Sequence, residues 1–337
     1  MKKITILVFM ILVIALQAGA VTKVGTTAAG FLNIDVGSRA LGMGGAYVAV
    51  ADEITAMYWN PAGVARLKTA QTAFTHTKWL ADVNFNYAAV VVPLGAIGNV
   101  GANATFLTMD EMERTTIAEP EGTGEMFDAG SYAFGLSYAR DLTDRFSIGF
   151  NFKYVNEKIY HSTASGAAFD IGTIFDTQYY GLKIGMSITN YGTKMRMGGR
   201  DMLIQADIDP QINGNNENIN ANLNTDSYDL PLMFRVGVSM DLLKGKGNSN
   251  LIVAVDALHP NDDVESVNVG AEYGFNKMFF LRGGYKSLFA SDSEEGLCLG
   301  AGFSYSLAGA GTLMLDYAYE DFGVLKDVQL FTIGLGF

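Results

Sequence analysis

The most constraining feature of the chain is a period-two alternation of apolar residues with small or polar ones, which recurs along most of its length. In the last eleven residues, 327–337, the apolar side chains of Phe331, Ile333, Leu335 and Phe337 fall on one face of an extended chain. Period two is the signature of a β-strand, and about eleven residues suffice for a tilted strand to cross a bilayer. The pattern therefore predicts a closing membrane strand, with these four residues as a barrel-assembly signal.

Alternation elsewhere predicts an all-β fold, a transmembrane antiparallel β-barrel over residues 70–337. The count of strands is fourteen, an even number, as in bacterial single-chain barrels. The composition agrees, because 39 glycines suit a crowded lumen and 12% aromatic residues suit a lipid-facing surface. The predicted strands are 70–78, 83–92, 98–108, 130–140, 145–156, 166–176, 180–190, 232–242, 250–258, 265–275, 278–287, 296–306, 311–320 and 327–337.

Loop lengths in this scheme alternate between short and long. Connections on one side are short turns, whereas the other side carries long loops at 109–129 and 191–231, which predicts a periplasmic and an extracellular end. Acidic residues concentrate in the external loops. They form either a solvated surface or a surface that binds calcium or a cationic partner. Asp209, Asn213 and Gly214 loosely resemble a calcium loop, although Gln211 occupies a ligand position, and calcium binding here stays undecided.

The first twenty residues have the pattern of a secretory signal peptide. Lys2 and Lys3 precede an apolar run over 4–16, and the small residues 18–20 form a cleavage motif. We therefore expect residues 1–20 to be removed and the mature chain to reach the outer membrane. Outer-membrane lipid and the barrel-assembly machinery are the partners that this route implies.

Residues 21–69 lack strand alternation and are predicted to form a hatch, a plug inside the barrel. Small residues allow close approach of backbones, as a plug requires. Asp52 is expected to begin a short helix over 54–58, and Asn60 before Pro61 signals a turn or a helix start. Arg39, Asp52 and Glu53 are polar groups available to pair in the lumen. The hatch motif comprises Gly42, Gly44, Gly45, Asp52, Trp59, Asn60, Pro61 and Gly63.

These residues carry a family resemblance. The stretch DVGSRALGMGGAYVAVADEITAMYWNPAGVARL resembles the N-terminal signature of the PorV/PorQ family of outer-membrane proteins, and the likeness continues through LSYARDL, FSIGFNFKYV, LRGGYKS and LDYAYEDFG. The WNPAG core is similar to the hatch of FadL-type channels. The resemblance implies a fourteen-stranded, FadL-like barrel associated with the type IX secretion system, with exported cargo proteins and other secretion components as partners.

Two functions follow from this resemblance. Members of the family serve type IX protein secretion as accessory or shuttle barrels that bind exported proteins at the cell surface, and FadL relatives are channels for hydrophobic small molecules. The first function requires a partner surface, for which Met195, Met197, Met202 and Leu203 in the second long loop are candidates, since methionine-rich surfaces adapt to varied partners. The alternative for these residues is that they fold the loop back onto the barrel rim.

Other function classes receive little support. The three histidines, His76, His161 and His259, lack metal-ligand spacing, and no nucleophile motif is present, so we expect neither an enzyme nor a metal site. The net charge of −12 argues against nucleic acid. Cys298, the single cysteine, is predicted to face the lumen as an inert packing residue. No cofactor is expected.

Overall fold

A computed structural model describes residues 24–207, 209, 211, 218–244, 247–290, 293–307, 311–325 and 327–337 of the chain. The predicted signal peptide and the residues that resemble a calcium loop, Asn213 and Gly214, lie outside the described residues. In the part of the chain that is described, no helix has the length and the apolar character needed to cross a membrane.

Fourteen antiparallel strands form a single closed barrel, which confirms the predicted fold class. Each predicted strand has a counterpart within a few residues, and the largest difference is in β6, which begins at Ser162 and not at 166. The strands are β1 Gln71–Lys78, β2 Asn84–Pro93, β3 Asn99–Thr108, β4 Ala129–Thr143, β5 Phe146–Ile159, β6 Ser162–Asp176, β7 Lys183–Gly192, β8 Met233–Asp241, β9 Ser249–Pro260, β10 Ser266–Phe275, β11 Phe279–Leu288, β12 Leu297–Leu307, β13 Gly311–Asp321 and β14 Asp327–Gly336.

The barrel closes because β1 pairs with β2 on one side and with β14 on the other, from Gln71 opposite Gly336 to Lys78 opposite Gln329. Every strand pairs with its neighbours in chain order. Closure leaves no strand edge in the wall, so backbone groups are satisfied without water, as a bilayer requires. Register shifts occur beside Asp170 in β6 and Asn268 in β10, and near the short turn after β4.

The two faces of the wall differ as the alternation predicts. On β14, Phe331 and Ile333 point outward and are 52% and 53% exposed, whereas the alternate residues Leu330 and Thr332 point inward and are buried. The same division holds on the other strands, whose outward side chains are mainly aromatic and aliphatic. An apolar outer face and a packed interior are the arrangement of a small membrane barrel.

The two ends of the barrel are unequal. Short turns connect the strands at one end, here called the short-turn end, and the long loops emerge at the other, here called the long-loop end. The long loops contain a 3-10 helix at Arg200–Met202 and short strands at Met112–Glu113, Met126–Phe127, Met195–Arg196, Gly198–Gly199, Leu203–Ala206, Ile219–Asn222 and Ser227–Tyr228. Shorter connections at the long-loop end contain 3-10 helices at Leu80–Asp82 and Gly323–Leu325, and Gly95–Ile97 is a 3-10 helix in a short turn.

The N-terminal segment, residues 24–69, runs along the inside of the barrel from the long-loop end to the short-turn end. Near its start, Thr27 Oγ1 donates to Asp262 Oδ2 at 2.7 Å; near its end, Arg66 Nη2 pairs with Asp176 Oδ2 at 2.8 Å. Its helices are short, because glycine and proline interrupt them. They are α1 Ser38–Gly42 and α2 Ala56–Trp59, with 3-10 helices at Gly30–Asn33 and Pro61–Arg66.

Candidate functional sites in the lumen and at the long-loop end

Small residues set the fit between the N-terminal segment and the wall. Gly44 has a φ of +64°, and a Cβ there would lie 2.6 Å from the backbone nitrogen of Tyr285, so no larger residue fits without movement of the wall. Conversely, the wall residues Gly149 and Gly172 leave room for Pro61 and Asn60. Glycines on both the segment and the wall therefore allow their backbones to lie in direct contact.

The Trp59-Asn60-Pro61 motif fixes the fold of the segment. Trp59 Nε1 donates to Val36 O at 2.8 Å, and Asn60 Nδ2 donates to Val48 O at 2.8 Å and to Thr173 O of the wall at 3.1 Å. The Asn60 side chain also caps the 3-10 helix that begins at Pro61, as expected for this dipeptide. One amide side chain thus joins three parts of the structure.

The prediction that Asp52 begins a helix over 54–58 is wrong. The helix starts at Ala56, and Asp52 Oδ1 instead accepts from Arg39 Nη1 at 2.6 Å. The attraction of a buried guanidinium outweighs the capping of one helical turn. Glu53 Oε2 lies 3.6 Å from Arg39, and burial raises the pKa of Glu53 in spite of that guanidinium.

Arg39 belongs to an ion-pair network that joins the segment to the wall. Arg39 Nε and Nη2 donate to the Glu272 carboxylate at 2.8 and 2.9 Å, and Arg282 Nε donates to the same carboxylate at 2.6 Å. Arg282 in turn pairs with Asp316. Glu272 is 1% exposed, so both guanidinium groups and the carboxylate depend on one another for compensation.

Lys286 centres a second cluster nearer the long-loop end. Its Nζ lies 2.9 Å from Asp35 Oδ2, 3.0 Å from Glu295 Oε1 and 2.7 Å from Glu320 Oε1. Burial alone would raise the pKa of Glu295, but Lys286 and a hydrogen bond from Ser287 lower it below its usual range. The cluster connects the N-terminal segment, the β11–β12 loop and β13.

A cavity of about 790 Å³ extends from the short turns to the Arg39 network. Its inner wall includes Arg39, Glu53 and Glu272, and its mouth includes Asn248 and Lys277. The cavity is polar and ends on the charged groups that hold the N-terminal segment. Among the described residues, no group of three or more His, Cys, Asp and Glu side chains has a metal-binding arrangement.

The predicted partner residues of the second long loop lie in different environments. Met195 is 1% exposed and packs under Gly166, and Met197 packs against the buried core. Met197 and Met202 both line a groove of about 720 Å³, and Leu203 is 50% exposed. In this conformation, a partner would contact Met202 and Leu203 but not Met195.

The groove lies between the two long loops and combines apolar and charged side chains. Phe127 and Ile159 line it together with Arg114 and Arg200. Arg114 Nη1 pairs with Glu125 at 2.7 Å, and a hydrogen bond from Tyr160 together with this guanidinium lowers the pKa of Glu125.

A projecting hairpin stands beside this groove. Its strands Leu203–Ala206 and Ile219–Asn222 pair only with each other among the described residues. Leu203 and Ile204 are 50% and 40% exposed although successive strand residues point to opposite faces. The face that carries Leu203 and Gln205 is exposed on both strands, whereas Ala206, Ile219 and Ala221, on the face of Ile204, are half-buried.

Sequence comparison identifies one matching family. A model described as "Type IX secretion system protein PorV" matches residues 17–246. No curated protein sequence matches the chain.

Solved structures share the barrel architecture. The CymD monoaromatic hydrocarbon channel has a TM-score of 0.56 at 11% identity, over 90% of this chain and 97% of that chain. The Pseudomonas putida toluene transporter TodX gives 0.54 at 11%, over 89% and 96%. A Pseudomonas aeruginosa FadL homologue gives 0.51 at 12%, over 94% and 99%. At such identity, the likeness shows a common fold alone.

Proposed function

The chain belongs to the family of the type IX secretion system protein PorV, and from this premise we propose that it is an outer-membrane accessory of protein export that binds exported proteins at the cell surface. In this proposal, residues 1–20 direct export, the short-turn end faces the periplasm and the long-loop end faces outward. The N-terminal segment acts as a hatch, anchored by the Arg39 network. The barrel-assembly machinery and other secretion components are its further partners.

The exposed apolar side chains of the hairpin, Leu203 and Ile204, are the observation that carries the proposal. Exposed strand edges with apolar side chains promote unwanted association, and proteins normally cover or charge them. A hairpin that leaves both Leu203 and Ile204 exposed is suited to add a strand from a partner, with backbone hydrogen bonds for affinity and apolar contacts for specificity. The adjacent groove extends the same surface.

Burial of two half-exposed aliphatic side chains would contribute about 2 kcal/mol to binding, since full burial of one is worth about 1.5–3 kcal/mol. We therefore expect the double variant Leu203→Asp/Ile204→Asp to lose at least about tenfold in affinity for exported proteins. Gln205→Asp is the matched control, because it adds charge to the same strand without removing an apolar contact.

The test is capture of proteins from the culture medium of the source organism by the purified, immobilised barrel. Wild type and Gln205→Asp should retain the same exported proteins, and the double variant should not. Heat-modifiable migration of all three proteins on gels verifies that the barrel is folded. Equal capture by the double variant would overturn the assignment of the hairpin.

A channel for hydrophobic small molecules is the second candidate, favoured by the FadL-like fold. Such a channel needs a side opening, yet the described wall strands all pair with both neighbours, with short register shifts beside Asp170 and Asn268. The N-terminal segment is also bound to the wall by buried ion pairs. Reconstitution in liposomes separates the candidates. Flux of a hydrophobic solute above that of empty vesicles would support the channel; flux at background would support the export accessory.

A further inference from the structure

Arg235 on β8 differs from the other buried basic side chains of the wall. It is 4% exposed, and no carboxylate of the described residues lies within 4.0 Å of it. In contrast, Lys153 pairs with Asp170, and Arg282 and Lys286 have the carboxylate partners given above. The buried carboxylate of Asp256 on β9 interacts with Arg235 only at longer range, and a buried charge without a close counter-charge is unfavourable unless something else compensates it.

The protein supplies only part of that compensation. Arg235 Nη1 donates to Thr189 Oγ1 at 3.2 Å, and its Nε has no hydrogen-bond partner. The guanidinium carbon lies 5.2 Å from the ring centroid of Trp59 and 6.0 Å from that of Tyr58, whose hydroxyl also interacts with it. Aromatic faces attract a cation, but they do not use the five donors of a guanidinium.

Arg235 lines a cavity of about 230 Å³ at the long-loop end of the lumen. Asn33 also lines it, and its buried Oδ1 has no hydrogen-bond partner. Apolar surface comes from Trp59, Met233 and Leu258. The volume is below the range of about 300–1,000 Å³ typical for drug-sized ligands, so the occupant is a smaller molecule.

The charges around the cavity define the chemistry of that molecule. Two basic side chains face four carboxylates, so a simple anion would meet excess negative charge at the rim, whereas a zwitterion would not. We propose that the cavity binds a small zwitterion of the amino-acid type, with its carboxylate on Arg235 and its ammonium group toward Asp262 and Asp263. The charged lining residues are Asp35, Arg235, Asp262, Asp263, Lys286 and Glu295.

Trp59 provides the reporter for the test. The chain has two tryptophans, Trp59 and Trp79, so a Trp79→Phe background leaves the ring that contacts Arg235 as the sole emitter. Three probes are titrated into the purified, folded barrel: phenylalanine, phenylacetate, which lacks the ammonium group, and phenethylamine, which lacks the carboxylate. We expect phenylalanine to bind with the highest affinity of the three probes, as followed by the change in Trp59 emission. Any effect of phenethylamine should be the same with and without Arg235.

Arg235→Gln should weaken phenylalanine binding at least tenfold while the barrel remains heat-modifiable. Arg66→Gln is the matched control, because it removes a guanidinium at the short-turn end and should leave binding unchanged. No response to phenylalanine at millimolar concentration would overturn the proposal. An equal response in Arg235→Gln would overturn it as well. The titration uses no exported protein, so its result is independent of the capture experiment.

Discussion

Replacement of Glu272 by Gln should release much of the energy that holds the N-terminal segment in the barrel. Glu272 accepts three hydrogen bonds from Arg39 and Arg282, at 2.8, 2.9 and 2.6 Å. Breaking a buried pair by removal of one partner costs about 3–5 kcal/mol. The two guanidinium groups keep Asp52 and Asp316, so we expect a loss near the lower limit, about 3 kcal/mol of unfolding free energy.

The assay is guanidinium chloride unfolding of the folded barrel in detergent micelles, combined with limited proteolysis of the N-terminal segment. Asp176→Asn is the matched control. Its pair with Arg66 lies at the short-turn end, where the Asp176 side chain is 34% exposed, and loss of such a pair costs about 1 kcal/mol or less. If Glu272→Gln were no more destabilising than Asp176→Asn, and the segment no easier to cleave, the anchoring role of the network would be refuted.

Three further perturbations test other parts of the account. Gly44→Ala should destabilise the folded barrel by more than about 2 kcal/mol, because backbone strain and a clash with the wall add. Gly25 also has a positive φ but open surroundings, so Gly25→Ala should cost the backbone strain alone, about 1–2 kcal/mol. Equal unfolding free energies would contradict the tight fit. Phe337→Asp should impair membrane insertion, because it places charge on an exposed, outward end of the wall; normal heat-modifiable yield would contradict the assembly signal. The pKa of Glu295 is lower in the folded than in the unfolded protein, so ionised Glu295 stabilises the fold above its unfolded pKa, and this stabilisation is lost as the pH falls through the folded pKa. Between about pH 7 and pH 3, the wild type should therefore lose more unfolding free energy than Glu295→Gln. Parallel losses in the two proteins would count against the Lys286 cluster.

The strands could be predicted from the sequence because a membrane wall exposes one face to lipid and packs the other. Period-two alternation along β14, from Phe331 to Leu335, reports both the strand and its orientation. The end of β5 and the start of β6 are harder to locate from the sequence, since both strands extend past their predicted bounds at the long-loop end, where the apolar pattern fades. The sequence pattern does not predict the hairpin that begins at Leu203, because strands of four residues give almost no periodic signal.

The sites depend on pairings that sequence order does not specify. The sequence predicts that Arg39 and Asp52 are lumen groups, but the second partner of Arg39, Glu272, lies 233 residues further along the chain. Met195 was offered as a partner residue, although the loop folds it beneath Gly166. Arg235 and Asp241 lie an even number of residues apart on β8, so the alternation predicts that both side chains point into the lumen. Only the structure shows that Arg235 has no carboxylate partner within ion-pair distance among the described residues.

The central claim is that the hairpin at the long-loop end binds exported proteins. Leu223 N donates to Met202 O at 2.8 Å, so the two ends lie close together and a short glycine linker can replace residues 203–222. The most direct measurement is the equilibrium affinity of this deletion variant and of wild type, both in lipid nanodiscs, for one exported protein identified in the capture experiment. The account predicts saturable binding by wild type and a loss of at least about tenfold in the deletion variant. Equal affinity of the two barrels would contradict it.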